Sequence, residues 1–167
     1  MPRPRQYPLD PLLAHRERKV DAATAELGDA VKQRELAEAE RARAEREKEA
    51  AEVRADAIRD EEQARLQGGE LRAVDLMRAQ AWEVAATAEM NELGRAVDTA
   101  VADVSAKRDE EAEARDDLAQ KKAEHGVVEK DKERFTLAKR RAVEAAEEEN
   151  AEEAWRDRRS ERKGGRG

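Results

Sequence analysis

The sequence contains no cysteine, very few aromatic residues and no proline after position 11. The missing cysteine excludes disulfide bonds and thiolate metal ligands. Aromatic residues make up only 2% of the chain and much of the apolar remainder is alanine, so few side chains are large enough to fill a globular core. Such a composition is typical either of a disordered chain or of long helices that bury a narrow line of contact.

The position of the prolines distinguishes these two possibilities. All four lie at the start of the chain, at Pro2, Pro4, Pro8 and Pro11. Disordered segments tolerate proline, whereas each proline inside a helix costs about 3 kcal/mol. The rest of the chain is dominated by Ala, Glu, Arg, Lys and Leu, which all favour helix. We therefore predict helix from residue 10 to about residue 160.

Long apolar runs are missing as well. No stretch approaches the ~20 apolar residues that span a bilayer, and the basic N-terminus lacks the apolar core of a signal peptide. Acidic and basic residues are intermixed and give a net charge of -7, whereas a nucleic-acid-binding protein usually presents a basic face. We expect a cytoplasmic protein with no direct membrane insertion and no nucleic-acid partner.

No catalytic motif is found in the sequence. The only histidines are His15 and His125, the only serines are Ser105 and Ser160, and no glycine-rich phosphate-binding loop is present. The two histidines would form a metal pair if a hairpin brought them together, but solvated histidines are the more ordinary outcome. We expect no enzyme activity, no cofactor and no metal site.

Local signals predict where the first helix begins and which face it buries. Asp10 is a candidate N-cap, Pro11 suits the first helical position, and Tyr7 would pack back on the first turn. A thin heptad repeat follows. Its two rows are Leu13, Val20 and Leu27, and Ala30, Ala37, Ala44, Ala51 and Ile58. Since the first row continues as Arg34, Arg41 and Lys48, residues 33–50 are predicted to be a solvated helix supported by its own ion pairs.

Gly68 and Gly69 interrupt this helical pattern near its middle. A glycine ends a helix because it adopts a left-handed conformation without a Cβ clash, and a second one lets the chain reverse. A kink in one continuous helix is the alternative. We predict an all-α antiparallel coiled-coil hairpin whose second helix is the longer. Its segments are a basic N-terminal stretch (1–9), a first helix (10–66), a glycine turn (67–70), a second helix (71–159) and a disordered basic tail (160–167).

Spacing also predicts how the two helices pair. The apolar positions proposed for the second helix are Leu71, Val74, Met77, Ala81, Val84 and Ala88, followed by Val97, Val101, Val104, Leu118, His125, Val128 and Phe135. A turn centred near residue 69 places Ala51 opposite Ala88, and it leaves the second helix without a partner beyond about residue 130. Trp82 and Trp155 would then lie at the edge of the pairing and in the unpaired part, respectively, where either partner contact or ordinary exposure is expected.

Two stretches carry a resemblance to a known family. In "YPLDPLLAHRERKVDAATAEL", the residues Leu9, Leu12, Leu13, Arg16 and Val20 form the pattern Leu-x-x-Leu-Leu-x-x-Arg-x-x-x-Val. The glycine pair is followed by "LRAVDLMRAQAWEVA". Together with the charged helices, these stretches resemble the FliJ and YscO (SctO)-type stalk proteins of type III secretion systems over nearly the whole chain.

The resemblance implies a central stalk at the cytoplasmic face of a secretion apparatus. The end with both termini would enter the ring of a hexameric secretion ATPase, and the turn end would face the export-gate protein; some family members also handle secretion chaperones. Met77 and Trp82 would be export-gate contacts. The implied ATPase contacts are Leu9, Leu12, Leu13, Arg16, Val20, Arg134, Phe135, Lys139 and Arg140. The alternative function is that of a generic coiled-coil spacer or scaffold.

Overall fold

The computed structural model describes residues 6–164 of the chain, with the side chains of residues 6–162. Two α-helices account for nearly all of them: α1, Asp10–Gln67, and α2, Ala73–Gly164, which have 58 and 92 residues. They pack antiparallel as a helical hairpin, and no strand occurs among the described residues. The predicted fold class is therefore confirmed. Two compact units are present: unit 1 combines the chain up to Ala23 with α2 from Asp117 onwards, and unit 2 runs from Thr24 to Asp116.

The start of α1 differs from the prediction. The backbone N–H of Leu13 donates to the Leu9 carbonyl at 2.9 Å, so the first helical hydrogen bond begins one residue before Asp10. The Asp10 carboxylate does not cap the helix; its Oδ1 instead forms an ion pair with Lys132 Nζ on α2, at 2.8 Å. The side chain predicted to start one helix thus ties α1 to α2 within unit 1.

A glycine ends α1 through a Schellman motif. The N–H of Glu70 donates to the Arg65 carbonyl and that of Gly69 to the Leu66 carbonyl, both at 3.1 Å. Gly69 has φ +70°, which only glycine adopts without strain. Gly68 has no such conformation, and a Cβ added there would meet its nearest atoms at ordinary contact distance, 3.6 Å. Of the two glycines, only Gly69 is required by the backbone.

The two glycines should therefore respond in opposite ways to alanine. Gly69→Ala should destabilise the hairpin by roughly 1–2 kcal/mol, the cost of placing a Cβ in the left-handed region. Gly68→Ala should be neutral or stabilising by about 0.4–1 kcal/mol, since it restricts the unfolded chain. Urea unfolding followed by circular dichroism measures both. Equal losses of stability at the two positions would contradict the assignment of the Schellman motif.

A side chain also defines the start of α2. The Arg72 carbonyl accepts a hydrogen bond from the N–H of Leu76 at 3.2 Å. The Asp75 carboxylate accepts one from the N–H of Arg72 at 3.0 Å, as in half of a capping box.

At its other end α2 continues through Gly164, into the region predicted to be a disordered tail from residue 160. Residues 1–5 of the predicted N-terminal segment and residues 165–167 of the predicted tail lie outside the described residues.

The heptad rows predicted for α1 face α2. Ala37 and Ala51 are buried, and Ala30, Ala44, Leu13, Val20 and Leu27 are half-buried. Ile58, the last residue of the second row, is exposed, although it lines a cavity together with residues of α2. Arg34, Arg41 and Lys48 are half-buried too, so residues 33–50 are not the solvated helix that was predicted. For Arg34 the reason is that its guanidinium binds Glu111, a buried carboxylate on α2.

The apolar row predicted for the beginning of α2 is wrong, because it faces away from α1. Val74, Met77, Ala81, Val84 and Ala88 are all exposed, and only Leu71, which precedes α2, is half-buried. The positions that face α1 are instead residues 75, 79, 82, 83, 86 and 90, which are buried or half-buried. Farther along α2, Val97, Val104, Leu118, His125, Val128 and Phe135 lie at the contact as predicted, whereas Val101 is exposed.

Ion pairs set a different register from the one counted from the turn. Arg59 was expected opposite residue 80 but binds Glu83, with Nη2–Oε1 and Nε–Oε2 distances of 2.7 and 3.1 Å. Arg34 was expected opposite residue 105 but binds Glu111. The midpoint of the loop predicts the register poorly, because the register depends on where Arg–carboxylate pairs and buried alanines of the two helices fit together best.

A disulfide test follows from the corrected register. Ala55 and Ala86 are both buried and line one cavity, so cysteines at these two positions should form a disulfide within a single chain under mild oxidation. The matched control is the pair Ala51→Cys and Ala88→Cys, which should not close because Ala88 is exposed. Mass spectrometry of the oxidised chain distinguishes the two; preferential closure of the control pair would restore the original register.

Pairing with the N-terminal segment extends farther along α2 than predicted. Phe135 is half-buried against Tyr7, whereas all described side chains from residue 136 to residue 162 are exposed. The pairing of α2 therefore ends about five residues later than the expected limit near residue 130, because Tyr7 packs on α2 rather than on the first turn of α1.

Within the described residues, neither helix has a stretch long and apolar enough to cross a membrane.

Candidate interaction surfaces

Tyr7 anchors the N-terminal segment to α2 in unit 1. Its ring is buried and lies 5.4 Å from that of Phe135, measured between centroids, at an interplanar angle of 55°. Its hydroxyl donates to Asp131 Oδ2 at 2.6 Å. Burial, together with the hydrogen bond to the Asp131 carboxylate, raises the pKa of the Tyr7 hydroxyl to about 12. No local pattern predicted this contact, because Tyr7 lies 128 positions away from Phe135.

Two ion pairs support this anchor along the same helices. Lys132 binds Asp10 at 2.8 Å, and Arg16 binds Glu124. Both pairs join α1 to α2 and are partly shielded from solvent. Arg16, predicted as an ATPase contact, is therefore already engaged within the chain, and its Nε is buried without a hydrogen-bond partner.

A groove of about 530 Å³ lies between Leu13 on α1 and residues 129–140 of α2. Leu13 and Leu137 provide its apolar surface, and Leu137 is 48% exposed. Its polar rim is formed by Glu129, Lys132, Glu133 and Arg140, together with Thr136. An apolar floor with charges of both signs around it suits a side chain from another protein, since the floor contributes burial and the rim fixes orientation.

The predicted ATPase contacts divide into two groups by their exposure. Leu9, Leu12, Arg134, Lys139 and Arg140 are exposed, and Arg140 lines the groove. Leu13, Arg16, Val20 and Phe135 are half-buried, and the contacts of Arg16 and Phe135 show that they hold the two helices together. The exposed residues and the groove are the surface that a partner can reach.

The groove leads into an exposed arm of α2, which we define as residues 136–162 and which begins with the groove residues Thr136, Leu137 and Arg140. Its exposed large apolar side chains are Leu137, Val143 and Trp155. The guanidinium of Arg159 lies over the Trp155 ring, 5.0 Å from its centroid, an arrangement that supports a cation–π contact. Arg158 and Arg162 line the same surface. Ion pairs such as Arg156 with Glu152, at 3.2 Å, stabilise the arm as a single helix.

The two predicted export-gate contacts, Met77 and Trp82, differ in accessibility. Met77 is 72% exposed. Trp82 is half-buried and lines a cavity of about 270 Å³ with Ala55, Ala86 and other residues of both helices. The Arg59 guanidinium lies 5.9 Å from the centroid of the Trp82 ring while it also binds Glu83. Trp82 therefore contributes to helix pairing, and Met77 is the freer of the two to contact a partner.

A charged network that joins α1 to α2 within unit 2 was not predicted. Arg34 Nε donates to Glu111 at 2.5 Å and its Nη1 to Glu38 at 2.8 Å, while Arg108 binds Glu38 and Arg115 binds Glu111. The hydrogen bond from Arg34 lowers the pKa of Glu111, and that from Arg108 lowers the pKa of Glu38. Heptad spacing could have predicted that Glu111 lies at the contact between the helices, since it is seven residues from both Val104 and Leu118.

The structure does not bring the histidines into a recognisable site. His15 is exposed, and half-buried His125 lies with its Nδ1 3.9 Å from the Glu129 carboxylate. No group of three or more His, Asp or Glu side chains within residues 6–162 is arranged to hold a metal ion.

Comparison with known proteins gave no relative: no family model, no curated protein and no solved structure matches the chain. The case for a function therefore rests on the surfaces described above.

Proposed function

We propose that the chain is the central stalk of a type III secretion ATPase complex, which inserts into the hexameric ATPase ring and couples ATP hydrolysis to the export gate. The observation that supports this most is the exposed arm of α2, which follows directly on the groove formed with Leu13. A paired helical base that continues as one accessible helix, with Leu137 and basic side chains at the junction, is suited to entering and contacting a ring.

The proposed mechanism is asymmetric contact. One stalk inside a ring of six identical subunits presents a different surface to each of them, so it stabilises different nucleotide states in different subunits. The exposed cations Arg134, Lys139 and Arg140 would meet acidic groups of the ring, and Leu12 and Leu137 would supply apolar contacts. The chain itself would carry out no chemical step and would bind no cofactor.

The turn end would contact the export-gate protein in this proposal. Met77 is the best-placed residue because its side chain is largely exposed near the start of α2. Trp82 would act mainly by holding α2 against Arg59. Secretion chaperones would be further partners in this proposal, and the arm is the surface accessible to them.

The proposal predicts that the chain binds its cognate secretion ATPase and raises ATP hydrolysis by that enzyme. Replacing both Leu12 and Leu137 by Asp should abolish the stimulation, because each carboxylate would be desolvated at the interface without a partner. Both leucines are exposed, so the helices should survive, as circular dichroism can verify. Phe135→Asp is unsuitable for this test, because it would break the contact with Tyr7.

A matched control is available on α1. Leu36 and Val53 are exposed at least as much as Leu12 and Leu137 but lie in unit 2, so their replacement by Asp should leave the stimulation unchanged. Equal loss with both double variants would show that the ATPase does not recognise the surface around the groove. If the wild-type chain neither binds nor stimulates the ATPase, the coiled-coil spacer or scaffold interpretation takes its place.

A further inference from the structure

Three arginines and a tryptophan converge on one face of the arm, which we call the arginine face. Its residues Trp155, Arg158, Arg159 and Arg162 line a cavity of about 410 Å³, and all four side chains are exposed. The Arg159 guanidinium lies 5.0 Å from the centroid of the Trp155 ring. A cation held over an aromatic ring loses part of its freedom, so this guanidinium is already oriented for a further contact.

Helix geometry separates the arginine face from the nearest acids. At roughly 100° per residue, its four residues fall within an arc of about 100°. Asp157 and Glu161, the acids of the same turns, point more than about 100° away from the centre of that arc. Arg158 donates to the Ala154 carbonyl at 3.0 Å rather than to a carboxylate. The positive charge of this face is therefore left for a ligand.

The order of charges in the sequence has the same effect. Acidic residues outnumber basic ones, 41 to 34, and arginines such as Arg43 pair with a glutamate four positions away. Arg156 does so with Glu152, at 3.2 Å. In contrast, neither Arg159 nor Arg162 has an acidic residue three or four positions away in either direction. Since like charges at this spacing repel each other, a bound anion would stabilise the arginine face.

The helix dipole does not account for the whole cluster. Cations are favoured near the C-terminus of a helix, but the effect falls off within the last turn. Because α2 ends at Gly164, its last turn includes Arg162 but neither Arg158 nor Arg159. These two arginines therefore need another explanation, and a shared anionic ligand supplies one.

We propose that the arginine face binds phosphate groups, carried either by a soluble phosphomonoester or polyphosphate or by the headgroup of an anionic phospholipid. A guanidinium donates two parallel hydrogen bonds to the oxygens of a phosphate. A phosphomonoester has three acceptor oxygens and about −1.5 to −2 charges, so it can engage several guanidinium groups at once. A carboxylate, with one charge and two oxygens, would satisfy fewer of them.

The rest of the arm limits the length of the ligand. Six glutamates occupy residues 144–153, directly before the arginine face. They would repel an extended polyanion, such as a single-stranded nucleic acid, that followed the helix, whereas a compact phosphate group meets only the arginine face. Trp155 also lies about 22 Å along α2 from Arg140, so this inference does not depend on the proposed ATPase contacts around the groove.

Titration of the full chain with tripolyphosphate at constant ionic strength tests the proposal. The chain has two tryptophans, and each gives one indole N–H signal in a ¹⁵N NMR spectrum. The signal of Trp155 should shift saturably, while that of Trp82, which lies in unit 2, should stay in place. The absence of a saturable shift at Trp155 would overturn the proposal.

A matched pair of variants separates a site from general charge attraction. Arg162→Gln should lower the association constant for tripolyphosphate by about fivefold or more, because two charge-assisted hydrogen bonds are lost. Arg156→Gln removes the same charge from the same stretch, but Glu152 already engages Arg156, so the constant should change by less than about twofold. Both arginines are exposed, and circular dichroism verifies that the helices survive. Equal losses in the two variants would overturn the site.

Two further titrations identify the source of the phosphate. If the ligand is a lipid headgroup, vesicles of phosphatidylcholine and phosphatidic acid should sediment more of the wild-type chain than of the Arg162→Gln chain. A shift with tripolyphosphate but no binding to these vesicles would assign the face to a soluble ligand. Polyglutamate or a single-stranded oligonucleotide that binds more tightly than tripolyphosphate would overturn the assignment to a compact phosphate group.

Discussion

Replacing Arg34 by leucine should lower the urea midpoint of unfolding clearly, while replacing Arg43 by leucine should hardly change it. Both arginines lie in α1 and both pair with a glutamate four residues later. Only Arg34 also binds Glu111, a buried carboxylate on α2. Removing Arg34 leaves that carboxylate with Arg115 as its remaining cation, whereas removing Arg43 breaks one exposed ion pair of small value.

The double variant Arg34→Leu, Glu111→Leu gives the more informative result. Two leucines in facing positions replace a charged pair by an apolar contact, so stability should return to the wild-type level or exceed it. The charged pair also selects the register, because leucine packs acceptably at neighbouring turns while Arg34 and Glu111 do not. The Ala55–Ala86 disulfide should therefore form less selectively in the double variant. A double variant less stable than either single variant would contradict this account.

The same network predicts sensitivity to acid. The pKa values of Glu38 and Glu111 are lowered from 4.5 in the folded chain, because they accept hydrogen bonds from Arg108 and Arg34. The stability they contribute is therefore fully present above about pH 4.5 and is lost as the pH falls through their lower, folded-state values. Stability of the Arg34→Leu chain should fall less between neutral and acidic pH than that of the wild type. Parallel pH profiles of the two chains would exclude the network as the source of acid sensitivity.

Replacing Tyr7 by alanine should release the N-terminal segment from α2. The substitution removes a buried ring that contacts Phe135 and a hydroxyl that donates to Asp131. Hydrogen exchange should then become faster around Val128 and Phe135, where Tyr7 shields α2, and should remain unchanged near Gly69 in unit 2. Unchanged exchange at Val128 and Phe135 would show that Tyr7 contributes nothing to the pairing.

Phenylalanine at the same position separates the contribution of the ring from that of the hydroxyl. Tyr7→Phe should keep the protection of α2 largely intact, because the ring still packs, and should remove a dependence on alkaline pH. The raised pKa of about 12 means that the stability linked to the Tyr7 hydroxyl is present below its ordinary pKa of 10. This stability is lost as the pH rises towards 12. The wild type should weaken over that range more than the Tyr7→Phe chain, as monitored by circular dichroism.

Several features followed from the sequence because their causes are local. Helix propensity and the position of the prolines predicted two long helices, and the glycine pair predicted where the chain reverses. The heptad rows of α1 were predicted correctly apart from Ile58, which is exposed, because periodicity identifies the side of α1 that packs. The exposure of Met77, a proposed partner contact, did not follow from the sequence, because Met77 belongs to the row of α2 that was expected to face α1.

Only the tertiary structure decided which face of α2 packs on α1, in what register the helices pair, and how far along α2 the pairing extends. The helix α2 has two apolar faces near its start, and a period of 3.6 residues cannot tell which of them a distant segment will cover. That choice is made by contacts between residues far apart in sequence: Arg59 with Glu83, Arg34 with Glu111, and Tyr7 with Asp131 and Phe135. These contacts depend on side-chain reach and desolvation at positions that come together only when the hairpin forms, so no local pattern in the sequence encodes them.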